Sequence, residues 1–344
     1  MNKLFPLVGL FFLMLSCQQD KLSYKTITGY AQGTTYQITY QDTLQRDFSA
    51  AIDSILIHYD FALSNYNPHS TLQAFNTPDS VITVLDTFGY FSDVLLQSTL
   101  LHHKTDGAFN PAVWPLVQAW GFGVKQKTNI SKQHIDSLLP LTHMENNQHE
   151  LRVTTEGLLL TYHKLANQTF DFNAIAQGHS VDVVFDFLAQ KGIQDLMVEI
   201  GGELRAKGRN KLGEFWKLGI DKPLENNSQR TLEAIVAIDN AALATSGNYR
   251  KFKIIDGKKY AHTIDPETGR PVTHQLLSAT VLAKTAAQAD GMATAFMVMG
   301  MEKSKSFLDT HPNINLEVFL IESDANGYKT FTSPGMESIM ELVK

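Results

Sequence analysis

The sequence predicts an α+β fold, a single compact domain with mixed or antiparallel sheets and flanking helices. Three observations support this. Stretches with period-two alternation, such as Thr35-Tyr36-Gln37-Ile38-Thr39-Tyr40, read as half-buried strands. Stretches with three- and four-residue apolar spacing, such as Phe48, Ile52, Ile55, Leu56, Tyr59 and Leu63, read as amphipathic helices. The two kinds are mixed without the strict alternation of a doubly wound parallel sheet.

In chain order, strand patterning begins at Tyr24 and is punctuated by Gly33. The helix over 48–63 ends at the turn Asn65-Tyr66-Asn67-Pro68. A second helix is predicted from Gly89 to Lys104, stopping near Gly107, and a third over Ile130 to Leu139. Leu151 to Tyr162 reads as a hairpin turning at Glu156-Gly157, and Val181 to Leu188 as a helix that stops at Gly192. Strands are then expected at Leu196–Ile200, Trp216–Ile220, Leu232–Ile238, Lys253–Ile255 and Lys259–Ile264, the last two joined by Asp256-Gly257. A strand at Ser278–Ala283 leads into a helix from Thr285 to Met299, ended by Gly300. Leu316–Ile321 and Lys329–Thr332 close the chain as a hairpin through Asp324-Ala325-Asn326-Gly327. No internal repeat or interdomain linker interrupts this order.

The N-terminus reads as a targeting segment rather than as part of the fold. Lys3 precedes an apolar run, Leu4 to Leu15, of 12 residues, short of the roughly 20 that span a bilayer as a helix. Ser16 then precedes Cys17, the only cysteine, in an arrangement that resembles a lipobox. The organisation expected is a signal peptide over 1–16, a lipidated cysteine and spacer over 17–23, and the folded domain over 24–344. Such a protein is held on a bacterial membrane by its lipid and faces the periplasm; Gln18 after Cys17 leaves the choice of membrane open. The net charge of -6 with 19% charged residues offers no basic surface for nucleic acid. Hydrophobic content of 43% and a mean hydropathy of -0.14 describe a globular body.

Several motifs are absent: G-x-G-x-x-G after a strand, G-x-x-x-x-G-K-[ST], H-E-x-x-H and G-x-S-x-G. The 12 histidines are scattered, and the His102-His103 pair reads as helix surface. Three segments can carry chemistry. Asp290 and Thr294, four apart, share one face of a helix; a carboxylate with a hydroxyl suits Mg²⁺ better than zinc or copper. The plainer reading is a helix-start carboxylate and a threonine bonded back to its own helix. Asp171-Phe172-Asn173-Ala174-Ile175-Ala176-Gln177-Gly178 places small residues before a helix, where backbone N–H groups favour phosphate; equally, Asp171 or Asn173 could simply cap the helix. Ser246-Gly247-Asn248-Tyr249 and His262-Thr263-Ile264-Asp265-Pro266-Glu267-Thr268-Gly269-Arg270-Pro271 combine turn chemistry with a histidine at a strand end.

Together and in order these segments resemble the FAD:protein FMN transferase (ApbE) family. The resemblance covers nearly the whole chain, from Gly33-Thr34-Thr35-Tyr36 to Asp290-Gly291-Met292-Ala293-Thr294. Between them lie Ser64-Asn65-Tyr66-Asn67-Pro68, Gly107-Ala108-Phe109-Asn110-Pro111, Pro115-Leu116-Val117 with Trp120-Gly121-Phe122-Gly123, and Val198-Glu199-Ile200-Gly201-Gly202-Glu203. It implies a transferase that takes FAD as substrate with Mg²⁺ and places FMN on a threonine hydroxyl of a target protein, releasing AMP. The implied partners are flavoprotein subunits of membrane redox complexes, such as Na⁺-translocating NADH:quinone oxidoreductase or Rnf. By position, Asp290, Thr294 and the Ala174 carbonyl would hold Mg²⁺. Gln32, Tyr66, Ala108, Phe109, Asn110, Asp171, Gln177 and Ile264 would line the FAD site, with His262 beside the flavin or diphosphate. Asp171 and His262 are the candidate bases. The chain departs from the family pattern at Asn110 (commonly aspartate), Asn173 (small or serine), Gln177 (lysine or glutamate) and His179 (tyrosine). The competing readings are an FAD diphosphatase giving FMN and AMP, a non-catalytic FAD-binding lipoprotein, and a general solute-binding lipoprotein, the last of which predicts a two-domain hinge that the sequence lacks.

Overall fold

The computed structural model describes residues 23–123, 131–224, 231–248, 252–255, 257–325 and 327–343. Cys17, with the whole targeting segment, lies outside these residues, as do Ile130, Tyr249 and the turn residues Asp256 and Asn326.

The centre of the molecule is an eight-stranded sheet in which every neighbouring pair is antiparallel. Its strands are β1 Tyr24–Ala31, β2 Thr34–Gln41, β3 Leu196–Ile200, β4 Glu203–Lys207, β5 Ala241–Gly247, β6 Leu276–Ala283, β7 Glu317–Asp324 and β8 Gly327–Thr332, lying side by side in chain order. It is a meander into which other structure is inserted. The β1–β2, β3–β4 and β7–β8 connections are short. Residues 42–195, between β2 and β3, hold three long helices' worth of structure: α1 Ser49–Leu63, α2 Tyr90–Lys104 and α3 Ala176–Gln190, with a small sheet of Val81–Asp86, Gln148–Thr154 and Gly157–His163. The β6–β7 connection carries α4, Ala286–Thr310.

Alternation along the strands builds two layers. Ile38, Tyr40, Val198 and Ile200 bury one face against Val181, Val184, Phe185 and Leu188 of α3 and Ile52 and Leu56 of α1. Further along the same face, Ala244, Ala279, Val281, Val318 and Leu320 meet the small apolar side chains of α4, among them Ala289, Met292 and Ala293. The opposite face, with Leu204, Ala206, Leu243, Phe319 and Ile321, packs on Trp216, Leu218, Ile220 and Val236 of a three-stranded sheet formed by Trp216–Asp221, Leu232–Ile238 and Met340–Leu342. The α+β reading therefore holds, and no hinge divides the packing: one set of strands serves both layers.

Three local readings need correction. The helix expected to stop at Gly300 does break there, with φ 76° and ψ 173°, but resumes and runs on to Thr310. Gly300 is suited to that break because it lacks a Cβ, and the Ser304 hydroxyl donates to its carbonyl at 2.7 Å. The strand read as Lys259–Ile264 is two pieces, Lys258–Ala261 and Ile264–Asp265, which pair in different hairpins. His102 is buried, not on the surface: its Nδ1 lies 3.1 Å from the Phe109 carbonyl, while His103 remains exposed.

Candidate functional site

The antiparallel order brings one end of the sheet into register. The β1–β2 turn at Gln32-Gly33, the β3–β4 turn at Gly201-Gly202 and the junctions after Gly247 and before Leu276 all lie at that end. The start of α3 lies there too, since the Gln177 side chain covers Gly201: a Cβ at Gly201 would sit 2.0 Å from Gln177 Nε2. Helix α4 returns from the other end of the sheet and delivers its third turn to β5, where Thr294 Oγ1 lies 3.2 Å from the Ser246 hydroxyl.

Asp290 is the most constrained member. It is 6% exposed, and its Oδ2 accepts the Gly178 N–H at 3.0 Å. Helices α3 and α4 touch here almost backbone to backbone, for a Cβ at Gly178 would lie 2.3 Å from the Ala286 carbonyl oxygen. Asp182, one turn further along α3, fixes that approach by accepting the Ala286 and Ala287 N–H groups at 2.9 Å each. Arg205 pairs with it at 2.9 Å from β4. Asp290 is not the helix-start cap; Thr285 is, accepting the Gln288 N–H at 3.3 Å. Burial with so little compensation pushes the Asp290 carboxyl up to about 7.

A second group lies along the turn segment before α3. Asp171 accepts Asn65 Nδ2 at 2.8 Å and the Asn173 N–H at 2.9 Å, and its own N–H donates to the Pro111 carbonyl at 2.8 Å. These contacts draw the Asn65–Tyr66 turn, the Asn110–Pro111 turn and the 171–178 segment together. Burial raises the Asp171 carboxyl, against the lowering effect of its hydrogen bonds. Tyr66 stands out from the turn, 76% exposed. The Asn110 side chain is spent inside the protein: Nδ2 donates to the Thr142 carbonyl and Oδ1 accepts the Ala112 N–H, both at 2.9 Å. Phe109 is buried against α4, and Ile264 sits in a satellite core with Leu116, Trp120 and Ile135. Phe109 and Ile264 can therefore offer a ligand only main-chain groups. His262 is half-buried, edge-on to Phe122 with ring centres 6.5 Å apart.

Two clefts border this end. One of about 850 Å³ is lined by Ala108, Asn110, Thr142, Asp265 and Lys303, with His102 at its wall. The other, of about 580 Å³, takes in Gln32, Tyr30, Ile57, Phe61 and Asn67. Gln32 is held in the left-handed region at φ 54°, its Oε1 accepts the Ser180 hydroxyl at 3.3 Å, and its Nε2 is buried without a partner among the described residues. Asn65 Oδ1 is likewise buried and unsatisfied. Such atoms are costly unless a ligand or water completes them. The structure thus gathers Gln32, Ala108, Asn110, Asp171, Ala174, Gln177, Asp290 and Thr294 onto neighbouring elements at one end of the sheet. The sequence read His102 as surface and did not single out Thr142 or Asp182, all of which support these residues from behind; polar residues without a motif give no signal of burial.

The ApbE family model matches residues 32–319, and the chain belongs to that family. It is 34% identical over 335 residues to the FAD:protein FMN transferase of Haemophilus influenzae, an alignment covering 96% of this chain and 95% of that protein. Among solved structures, the flavin transferase ApbE of Vibrio cholerae matches with a TM-score of 0.78 and 32% identity, over 92% of this chain and 99% of that one. The apo flavinyl transferase ApbE of Pseudomonas stutzeri matches with a TM-score of 0.79 and 29% identity, over 92% and 96%.

Proposed function

We propose that this chain transfers the FMN half of FAD to a threonine hydroxyl of a target protein, with AMP as the leaving group. The relatives' shared activity supports the reaction. The observation that carries it on this chain is the buried Asp290 carboxylate, aligned with Thr294 and clamped to the start of α3 through Gly178. No ion pair satisfies Asp290 among the described residues, and no cluster of three His, Cys, Asp or Glu side chains could hold a metal there. A carboxylate, a hydroxyl and a main-chain carbonyl, from Asp290, Thr294 and Ala174, nonetheless make a hard oxygen donor set that fits Mg²⁺. When bound, the ion would offset charge building on the diphosphate oxygens.

The chain's own groups supply the rest. Gln32 Nε2 and Asn65 Oδ1 are poised to complete their hydrogen bonds with the substrate, and exposed Tyr66 offers a ring for stacking. The threonine hydroxyl must lose its proton as its oxygen bonds to the FMN phosphorus and the bond to AMP breaks. Asp171, raised by burial, is one candidate to take that proton, and half-buried His262 is the other. Cys17, acylated at the new N-terminus, would hold the enzyme on the membrane surface beside flavoprotein subunits of redox complexes, where effective concentration is high.

The test is incubation with FAD, Mg²⁺ and a threonine-bearing redox subunit, followed by mass spectrometry. An FMN adduct on threonine is expected. AMP and free FMN without an adduct would instead make the chain an FAD diphosphatase.

A further inference from the structure

Behind the start of α3 lies a buried relay that the reaction above does not use. The Tyr59 hydroxyl of α1 donates to the Ala176 carbonyl at 2.7 Å and lies 3.0 Å from His179 Nδ1. His179 Nε2 lies 2.8 Å from Asp93 Oδ2, in the first turn of α2. Tyr59 is 1% and His179 3% exposed, whereas Asp93 reaches solvent. Proton counting fixes the donors. A carbonyl oxygen only accepts, so the single Tyr59 proton goes to Ala176. An ionised carboxylate also only accepts, so Nε2 donates to Asp93, and the buried ring is held between the Tyr59 hydroxyl and the Asp93 carboxylate.

We propose that Asp93, His179 and Tyr59 are positioning residues for FMN transfer, a buried hydrogen-bonded chain that fixes the Ala176 carbonyl. Through it they set the turn that presents Ala174, Gln177 and the Gly178 N–H to Asp290. The proposal rests on the functional reading above. The relay joins three helices at one peptide, and that peptide lies two residues from the Gly178 clamp. The other charged or titratable groups around the pair are Asp182 on α3, Asp290 on α4, Tyr90 on α2, and Arg205 of β4, which is itself paired to Asp182. The His179 hydrogen bond in turn holds the Asp93 carboxyl below the usual carboxylate range. At position 179 the relay needs a side chain that reaches Tyr59 and Asp93 at once, which histidine does through its two ring nitrogens.

Two measurements test it on the full chain. In ¹⁵N-histidine NMR, with the signal assigned by its loss in His179→Phe, Nε2 should carry a proton and its signal should move in Asp93→Asn; an Nε2 signal indifferent to Asp93→Asn overturns the relay. Tyr59→Phe removes one oxygen and keeps the ring packing. It should speed exchange of the Gly178 amide at least ~10-fold and lower kcat for transfer ~10-fold, with KM for FAD within ~3-fold. Wild-type exchange and kcat in that variant would overturn the positioning role. Should the wild-type chain transfer no FMN, the NMR and amide exchange still decide the relay, so the two readings fail separately.

Discussion

Asp290 accepts one N–H and is almost wholly buried, so its ionised form is held at a cost. Its folded-state value of about 7 exceeds the unfolded value of 3.8. The folded state therefore binds more protons between these limits, and metal-free stability falls as pH rises from about 4 to about 7, then levels off. Asp290→Asn keeps the acceptor for Gly178 and removes the charge. It should raise the metal-free melting temperature at pH 8, by an amount corresponding to on the order of 2–4 kcal/mol, and change it little at pH 4. Mg²⁺ should raise the wild-type melting temperature at pH 8 and leave the variant unmoved. A variant no more stable than wild type at pH 8 would contradict the buried-charge assignment. Asn110 supplies a different test. Because both ends of its amide are used internally, Asn110→Ala should cost about 1–3 kcal/mol in urea unfolding, through an unsatisfied Thr142 carbonyl and an uncapped turn. Replacement by aspartate keeps the Ala112 cap but sets a carboxylate against that carbonyl, so it too should destabilise. The pair Asp290/Thr294 was legible because four-residue spacing on a helix is a sequence property. The burial of His102 was not, because a histidine looks alike on either face of a helix until the Phe109 carbonyl arrives from outside it.

The contact between α3 and α4 carries the site. Gly178 permits it, and Asp182 secures it by capping the first two amides of α4 from 104 and 105 residues away. Gly178→Ala would drive a methyl group into the Ala286 carbonyl, so transfer should fall by at least ~100-fold through displacement of Asp290, readable as kcat at saturating FAD. Asp182→Ala leaves Arg205 partly buried without its main partner and α4 uncapped. A loss of about 2–4 kcal/mol in denaturant unfolding is expected; a loss under about 0.5 kcal/mol would contradict the lock. Helices α1 to α3 were legible from apolar periodicity. Strands β4 and β5 were not: Glu203–Lys207 and Ala241–Gly247 are short or made of small residues with weak strand preference. They become strands because β3 and β6 offer them partners. The cap by Asp182 was likewise invisible, since nothing local links it to Ala286.

At the scale of the molecule, the sheet is a plain antiparallel meander whose order follows the chain, and the candidate site lies at one end of it. The α+β class and the strand positions near the turns could be read from alternation and glycine punctuation. Which insertion covers which face could not, because that is settled by where the apolar sides of α3, α4 and the three-stranded sheet find room. The same arrangement explains why residues from 32 to 294 converge: the turns of a meander alternate between two ends, and those that matter share one. The measurement that tests this account most directly is the stoichiometry of AMP release against FMN–threonine adduct, with FAD, Mg²⁺ and a redox subunit, for wild type and Asp290→Ala. The account predicts one AMP per adduct in the wild type and neither product from the variant. Normal flavinylation by Asp290→Ala in saturating Mg²⁺ would contradict it.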